Sequence, residues 1–360
     1  METLCSTLKR LRLEHGYTIK SLADEVGIHP SLLSRIEKGD RLPTREQMDE
    51  IIKSLELDSK TTWQLWYAEK IIDVVGYQKD PRSIFEIAES RIEYLRSKSA
   101  MDTPGISDHI QKKLDTIDQL KAKYSMHSTK NTIGMQKMRD WWNTAYTYES
   151  NRIEGNTLTF QETMFVVVEG MTISGKSLRE HLEAINHAEA IAFIMDLLKD
   201  KIDLSARTLS ELHGLILRGI DRENAGKYRK VPVRIGGSEH MPPQPYLLDK
   251  LMEDYFINYT AQKSILHPVI LAAEMHERLV SIHPFIDGNG RTARLVMNLI
   301  LLQHGYTIAN LKGDYDSRMR YYTALERVQA DADPEPFFDL ITDACIESLE
   351  QHIEQAEESV

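Results

Sequence analysis

A helix made from LVMNLILL, residues 295–302, has no polar face to turn towards water. Apart from Asn298 every side chain in the run is apolar, so at 3.6 residues per turn the helix must be enclosed on all sides. The run is far too short to cross a bilayer, which takes about 20 residues. The chain therefore has to surround this helix with other elements, and the pattern says that these are helices. Apolar residues recur at i, i+3 and i+4 through most of the 360 residues; Val269, Ala272, Met275, Leu279 and Ile282 form one such stripe just upstream. A length of 360 residues favours two or three units over one. The organisation expected is 1–58, 59–130 (a helical connector, with a break at 102–107) and 131–350. The fold class expected is mostly α.

Between the stripe and the enclosed helix lies SIHPFIDGNGRTAR, Ser281–Arg294, whose proline and glycines a helix would not choose. A loop there delivers the N-terminus of a buried helix, with free backbone N–H groups and the positive end of the helix dipole. Gly288 and Gly290 allow the backbone to curl into a nest for an anion. Arg291 and Arg294 fall in the first turn, where the dipole disfavours cations unless an anion is bound between them. Asp287 could hold a divalent cation bridging phosphate oxygens, and His283 could take a proton. A calcium-binding loop is excluded by counting: with Asn289 and Gly290 at positions 5 and 6, Phe285 and Val296 fall at positions 1 and 12, where acidic residues are needed.

The string HPFIDGNGRTAR matches, position for position, the signature H-P-F-x-D-G-N-G-R-x-x-R of the Fic (filamentation induced by cAMP) family. The chain resembles that family over about 131–345. RKVPVRIGGSEHMPP looks like the family's target-docking flap, with Val231, Val233 and Ile235 alternating before a turn at Gly236-Gly237; it reads as a small β-hairpin. RMRYYTALERVQADADPEPFFDLI, Arg318–Ile341, looks like the helices that follow the motif. The resemblance implies a protein adenylyltransferase that moves AMP from ATP to a Ser, Thr or Tyr hydroxyl of a target protein, with Mg²⁺. Carried over by residue, His283 deprotonates the hydroxyl, Asp287 binds Mg²⁺, and Gly288, Asn289 and Gly290 form the anion hole. Arg291 holds a phosphate, Arg294 meets the γ-phosphate, and Phe285 is a buried anchor. The unmodified DGNGR favours AMP transfer over phosphorylation.

A second string, YESNRIEGNTL (Tyr148–Leu158), ends a helix carrying Trp141, Trp142 and Tyr146, stopped at Gly155; Thr159 with Glu162 then reads as a capping box. A carboxylate in a last helical turn is disfavoured by the dipole and calls for a compensating partner. Ser150, Glu154 and Gly155 match the family's inhibitory pattern [Ser/Thr]-x-x-x-Glu-[Gly/Asn]. The resemblance implies that Glu154 pairs with Arg294 and occupies the γ-phosphate site, an inhibition within one chain. Some relatives also remove AMP with the same glutamate, so a repressed transferase and a bifunctional enzyme both remain open.

At the other end, LADEVGIHPSLLSRIEKGDRLPT sets two short helices about a Gly-containing turn. It resembles the Cro/repressor (XRE) helix-turn-helix family over about 4–57. The implied recognition helix is Ser31–Lys38, with Ser31, Ser34 and Arg35 as DNA-contact residues. Yet residues 1–58 hold nine Lys/Arg against eleven Asp/Glu, net −2, in a chain of formal charge −11. That rules out a general polyanion coat. Lys9, Arg10, Arg12, Arg35, Lys38 and Arg41 could still share one face, so DNA binding and protein docking both stand. The rival to the enzyme is a DNA-binding regulator whose Fic-like domain senses a nucleotide without turnover; a homodimer would suit such a module. Cys5 and Cys345 are no disulfide framework, and no signal-peptide core opens the chain, so a cytoplasmic protein without a membrane role is expected.

Overall fold

The computed structural model of the protein describes residues 3–55, 57–76, 80–85, 87–89, 105–127 and 133–358. The chain divides into two compact units, Met1–Glu93 and Tyr94–Val360.

The first unit contains α1 (Leu4–Glu14), α2 (Ile19–Val26), α3 (Pro30–Lys38), α4 (Arg45–Ser54) and α5 (Ser59–Val75). Thr3, Thr18 and Thr44 each close a capping box at the start of α1, α2 and α4. Gly27, at φ 71°, makes the left-handed turn between α2 and α3. Leu8, Leu22, Ala23, Leu33, Ile36, Met48 and Ile51 form the core. Arg12 on α1 is buried against Glu37 on α3, Nε to Oε1 at 2.5 Å and Nη2 to Oε2 at 2.9 Å. The basic face drawn from sequence therefore loses Arg12: a fork-to-fork pair inside the unit takes all its charge.

The second unit contains α6 (Asp108–His127), α7 (Ile133–Ile153), α8 (Phe160–Val167), α9 (Leu178–Lys199), α10 (Ala206–Ile216), α11 (Leu248–Gln262), α12 (Pro268–Ile282), α13 (Asn289–Gln303), α14 (Tyr315–Asp331) and α15 (Glu335–Glu358). At its centre is α13, the enclosed helix. Leu295, Val296, Met297, Leu299, Ile300 and Leu301 are fully buried, each worth about 1.5–3 kcal/mol relative to exposure. α12 packs along it, with α9, α10 and α7 on its other sides. Asn298, the polar residue in the run, is satisfied internally: its amide donates to Ala309 O and its oxygen accepts from Ala309 N–H.

Residues 59–130, expected as a connector, are divided between the units. α5 packs on the first through Trp66, which is buried and donates to Pro43 O at 3.0 Å. α6 lies in the second against α15, burying Ile110, Leu114 and Ile117. Of the break at 102–107, only 105–107 are described, and they are not helical. The β-hairpin is not formed: no strand occurs among the described residues. The turn at Gly236-Gly237 is present, with Ser238 N–H bonding Ile235 O and Gly237 at φ 79°. The arms around it make no ladder, so alternation at Val231, Val233 and Ile235 does not produce a sheet.

Candidate active site

The bowl is built at the start of α13. Gly288 is its N-cap at φ 77°, in the left-handed region, and no side chain caps the helix. A Cβ at Gly288 would also come within 3.1 Å of Ile216 Cγ2. The first intrahelical bond runs from Thr292 N–H to Gly288 O, so the N–H groups of Asn289, Gly290 and Arg291 remain available to an anion. Asn289 is 2% exposed, and its side chain is committed to Phe285, accepting from the N–H and donating to the carbonyl, both at 2.9 Å. It shapes the loop, and only its backbone is left for an anion hole. Phe285 is fully buried and stacks on His213, ring centroids 3.6 Å apart and planes within 8°.

His213 was not singled out in the sequence. Its Nδ1 accepts from Gly226 N–H and its Nε2 lies 2.9 Å from Asp287 O. Since Nδ1 accepts, the proton sits on Nε2 and donates to Asp287 O. Burial holds this imidazole down to about 4, in its neutral form.

His283 ends α12 at φ 50°, ψ 57°, a strained position for a side chain with a Cβ. Three bonds hold it there: its N–H to Leu279 O at 3.0 Å, its O from Arg229 Nε at 2.8 Å, and Nδ1 at 3.2 Å from Val280 O. A carbonyl only accepts, so Nδ1 carries the proton and Nε2 keeps a lone pair. Burial, reinforced by the Arg229 cation, lowers the pKa from the ordinary histidine value, so the ring is a neutral base.

Two buried arginines line the nest. Arg294, 1% exposed, donates Nε to Ser150 Oγ at 2.9 Å, and Nη2 to Ser150 O at 2.8 Å and Glu154 Oε1 at 2.7 Å. Burial works against its charge, but Glu154, with Tyr321 and Tyr146, outweighs burial and leaves the pKa raised. Arg294 Nη1 has no hydrogen-bond partner among the described residues. Arg291, 2% exposed, has Nε and Nη1 in the same condition, although Nη1 comes within 3.3 Å of Glu183 Oε1. Buried guanidinium donors without partners beside a helix N-terminus fit a polyphosphate. Glu154 reaches the nest from α7: the helix ends at Ile153, and Gly155 at φ 93° turns the chain away. A Cβ on Gly290 would lie 2.4 Å from Glu154 Oε1 and 3.2 Å from Arg294 Nη1, which places the glutamate directly over the anion site.

Asp287 accepts from Gly288 N–H and from Arg179 Nη2, both at 2.6 Å. Burial pushes this carboxyl up, but Arg291, the Gly288 N–H and Arg179 outweigh burial and hold it below the usual carboxylate range. It is therefore an ionised oxygen donor, the kind a hard divalent cation takes. No group of three or more His, Cys, Asp or Glu able to hold a metal exists among the described residues. One carboxylate with substrate phosphates is how Mg²⁺ is usually bound, so the residues fit that ion.

The flap segment is tied to this site by two side chains, Arg229 and His240, whose Nε2 lies 2.9 Å from Ser281 O. Arg229, 3% exposed, donates Nε to His283 O, Nη1 to Val231 O at 3.0 Å and Nη2 to Pro243 O at 2.6 Å, while its N–H bonds Pro284 O at 2.8 Å. Val231 is exposed, and Val233 and Ile235 are half-buried. His283, Asp287 to Arg294, Ser150, Glu154 and Gly155 thus meet in one place. Ser31, Ser34 and Arg35 belong to the other unit, on α3, with Ser31 and Arg35 exposed and Ser34 half-buried.

Residues 203–301 match the model of the Fic/DOC family, and residues 8–59 match a helix-turn-helix model. The protein adenylyltransferase Fic of Drosophila melanogaster is 33% identical over 246 residues, 68% of this chain and 48% of that protein. Its counterpart in Drosophila yakuba is 34% identical over the same shares, 68% and 48%. The chain thus spans about half the length of the curated relatives it matches. A Fic domain containing signaling protein from Bacteroides thetaiotaomicron aligns with a TM-score of 0.61 at 28% identity, covering 68% of this chain and 97% of that one. Fic-1 from C. elegans shares the fold, with a TM-score of 0.62 at 24% identity over 95% of this chain and 98% of that one.

Proposed function

The chain carries a Fic/DOC domain and a helix-turn-helix domain, and on that premise we propose that it is a protein adenylyltransferase held inactive by its own Glu154. The observation that carries the proposal is Glu154 paired with Arg294 over an uncapped helix N-terminus whose buried arginine donors lack partners. ATP places its phosphates in the nest, against the backbone of Gly288, Asn289 and Gly290 and against Arg291. Arg294 takes the γ-phosphate only when Glu154 releases it. Asp287 would hold Mg²⁺, which would neutralise charge on the phosphates. His283 Nε2 accepts the proton of a target Ser, Thr or Tyr hydroxyl. The freed oxygen attacks the α-phosphorus, pyrophosphate leaves, and the target carries AMP through a new phosphoester bond. The segment of Val231, Val233 and Ile235, which has no strand partner among the described residues, is where a target segment can lie, as in strand addition. Release of AMP from a labelled target by the wild type, lost in Glu154→Gly, would distinguish a bifunctional enzyme from a repressed transferase.

The test is transfer of label from ATP. Glu154→Gly should label itself or a target at least about tenfold more than wild type, the factor expected for about 1.4 kcal/mol of released inhibition. Equal labelling would remove the inhibitory role.

The first unit presents Ser31 and Arg35 for DNA, in a homodimer if the site is two-fold. A salt-sensitive mobility shift with DNA from the protein's own promoter region checks this. The free cysteines, Cys5 and Cys345, and the lack of a helix long and apolar enough to cross a membrane among the described residues support a cytoplasmic setting.

A further inference from the structure

Asp287 is one corner of a closed ring of four charges. Arg179 Nη2 bonds Asp287 Oδ2 at 2.6 Å, and Arg179 Nε bonds Glu183 Oε1 at 3.1 Å. Glu183 Oε1 lies 3.3 Å from Arg291 Nη1, and Arg291 Nη2 returns to Asp287 Oδ1 at 3.4 Å. Two guanidinium groups and two carboxylates balance to zero. The members differ in freedom: the side chains of Arg291 and Glu183 are 2% and 11% exposed, those of Asp287 and Arg179 42% and 57%. Arg179 is the cation that can leave. It sits on α9 four residues before Glu183, so it can let go of Asp287 and keep a carboxylate partner one turn along its own helix.

We propose that Arg179 holds on Asp287 the place that a divalent cation would take, so that guanidinium and metal compete for one carboxylate and metal entry releases Arg179 from Asp287, leaving it on Glu183 alone. The proposal rests on the nucleotide reading of the site. A cation of charge +2 added while Arg179 stays would set three positive groups, the metal, Arg179 and Arg291, on one carboxylate. Displacement removes that repulsion, and the incoming polyphosphate restores balance around Arg291. Since no group of three or more His, Cys, Asp or Glu among the described residues forms a cage, cation affinity is weak and responds to one competitor. Arg179 thus sets the metal concentration at which the site loads.

The experiment titrates Mn²⁺ into the full-length protein and reads free Mn²⁺ by electron paramagnetic resonance. A second titration reads the Mg²⁺ concentration that gives half-maximal binding of a fluorescent ATP analogue, and it decides the matter if Mn²⁺ alone binds below detection. Arg179→Ala should bind Mn²⁺ about threefold tighter or more and lower the half-maximal Mg²⁺ concentration by the same factor. Arg179→Lys should fall between it and wild type. Asp287→Asn should lose the metal response. Arg218→Ala removes equal charge from a surface arginine that pairs with Glu189, and it should behave as wild type. Unchanged or weaker binding in Arg179→Ala would overturn the proposal, as would an equal gain in Arg218→Ala. Failure of the AMP-transfer reading looks different: no label moves in Glu154→Gly while the metal affinity still responds to Arg179.

Discussion

Single residues decide whether this bowl works. His283 is neutral because it is buried, with Arg229 adding to the effect. In a Glu154→Gly background, transfer should therefore hold as pH falls to about 6.5 and decline only below it, because the folded pKa lies on the acid side of the ordinary value. A decline beginning above that point would show a protonated ring and count against the base assignment. His283→Ala should abolish label transfer, at least about a hundredfold, while ATP still binds. The motif residues were legible because the chemistry needs them contiguous in sequence: a nest, two arginines and a histidine within one loop and one turn. Glu154 was legible through the resemblance of Ser150, Glu154 and Gly155 to the family's inhibitory pattern. Arg179 and His213 were not, because each touches Asp287 from a different helix, and locally each is an ordinary residue of an amphipathic segment.

At the scale of elements, the flap shows what alternation can and cannot say. Val231, Val233 and Ile235 have the period of a strand, but a strand needs a partner, and here Arg229 supplies the order instead, by taking carbonyls from both arms and from His283. Arg229→Lys keeps the charge and loses the fork, since one ammonium cannot reach three carbonyls in these directions. It should cost about 2 kcal/mol of stability, read by denaturant unfolding. Transfer to a protein target should fall more than ATP binding does; equal losses in both would mean general collapse rather than a displaced flap. The capping box at Thr159 and Glu162 formed as the sequence indicated, with bonds of 2.7 and 3.2 Å. Caps are local, and local rules suffice for them. The division of residues 59–130 was not local: Trp66 and the stripe of Ile110, Leu114 and Ile117 are equally apolar, and only tertiary packing assigns them to different cores.

The whole molecule should respond to acid through one of its two units. His187, His213 and His276 all lie in the second unit, and burial depresses each, His213 to about 4 and His276 to about 3. Between those values and about 6.5 the unfolded chain binds protons that the folded chain refuses at these histidines, so their contribution lowers stability as pH falls through that window, offset in part by Glu277, which burial pushes up to about 7. For His213 alone the effect is about 3 kcal/mol. A calorimetric scan should show the transition of the second unit dropping in temperature from pH 7 to 4.5, and His213→Gln should flatten part of that slope. A slope unaffected by the substitution would show that His213 is already protonated in the fold.

The order in which the chain is made adds a last consequence. Ser150 and Glu154 precede Arg294 by 144 and 140 residues. A ribosome releases α7 first and completes the nest on the order of ten seconds later. The lid is thus made before the vessel it covers. At no stage of synthesis does a finished nest wait for its glutamate, and a nascent copy that folds as it emerges begins its life already closed.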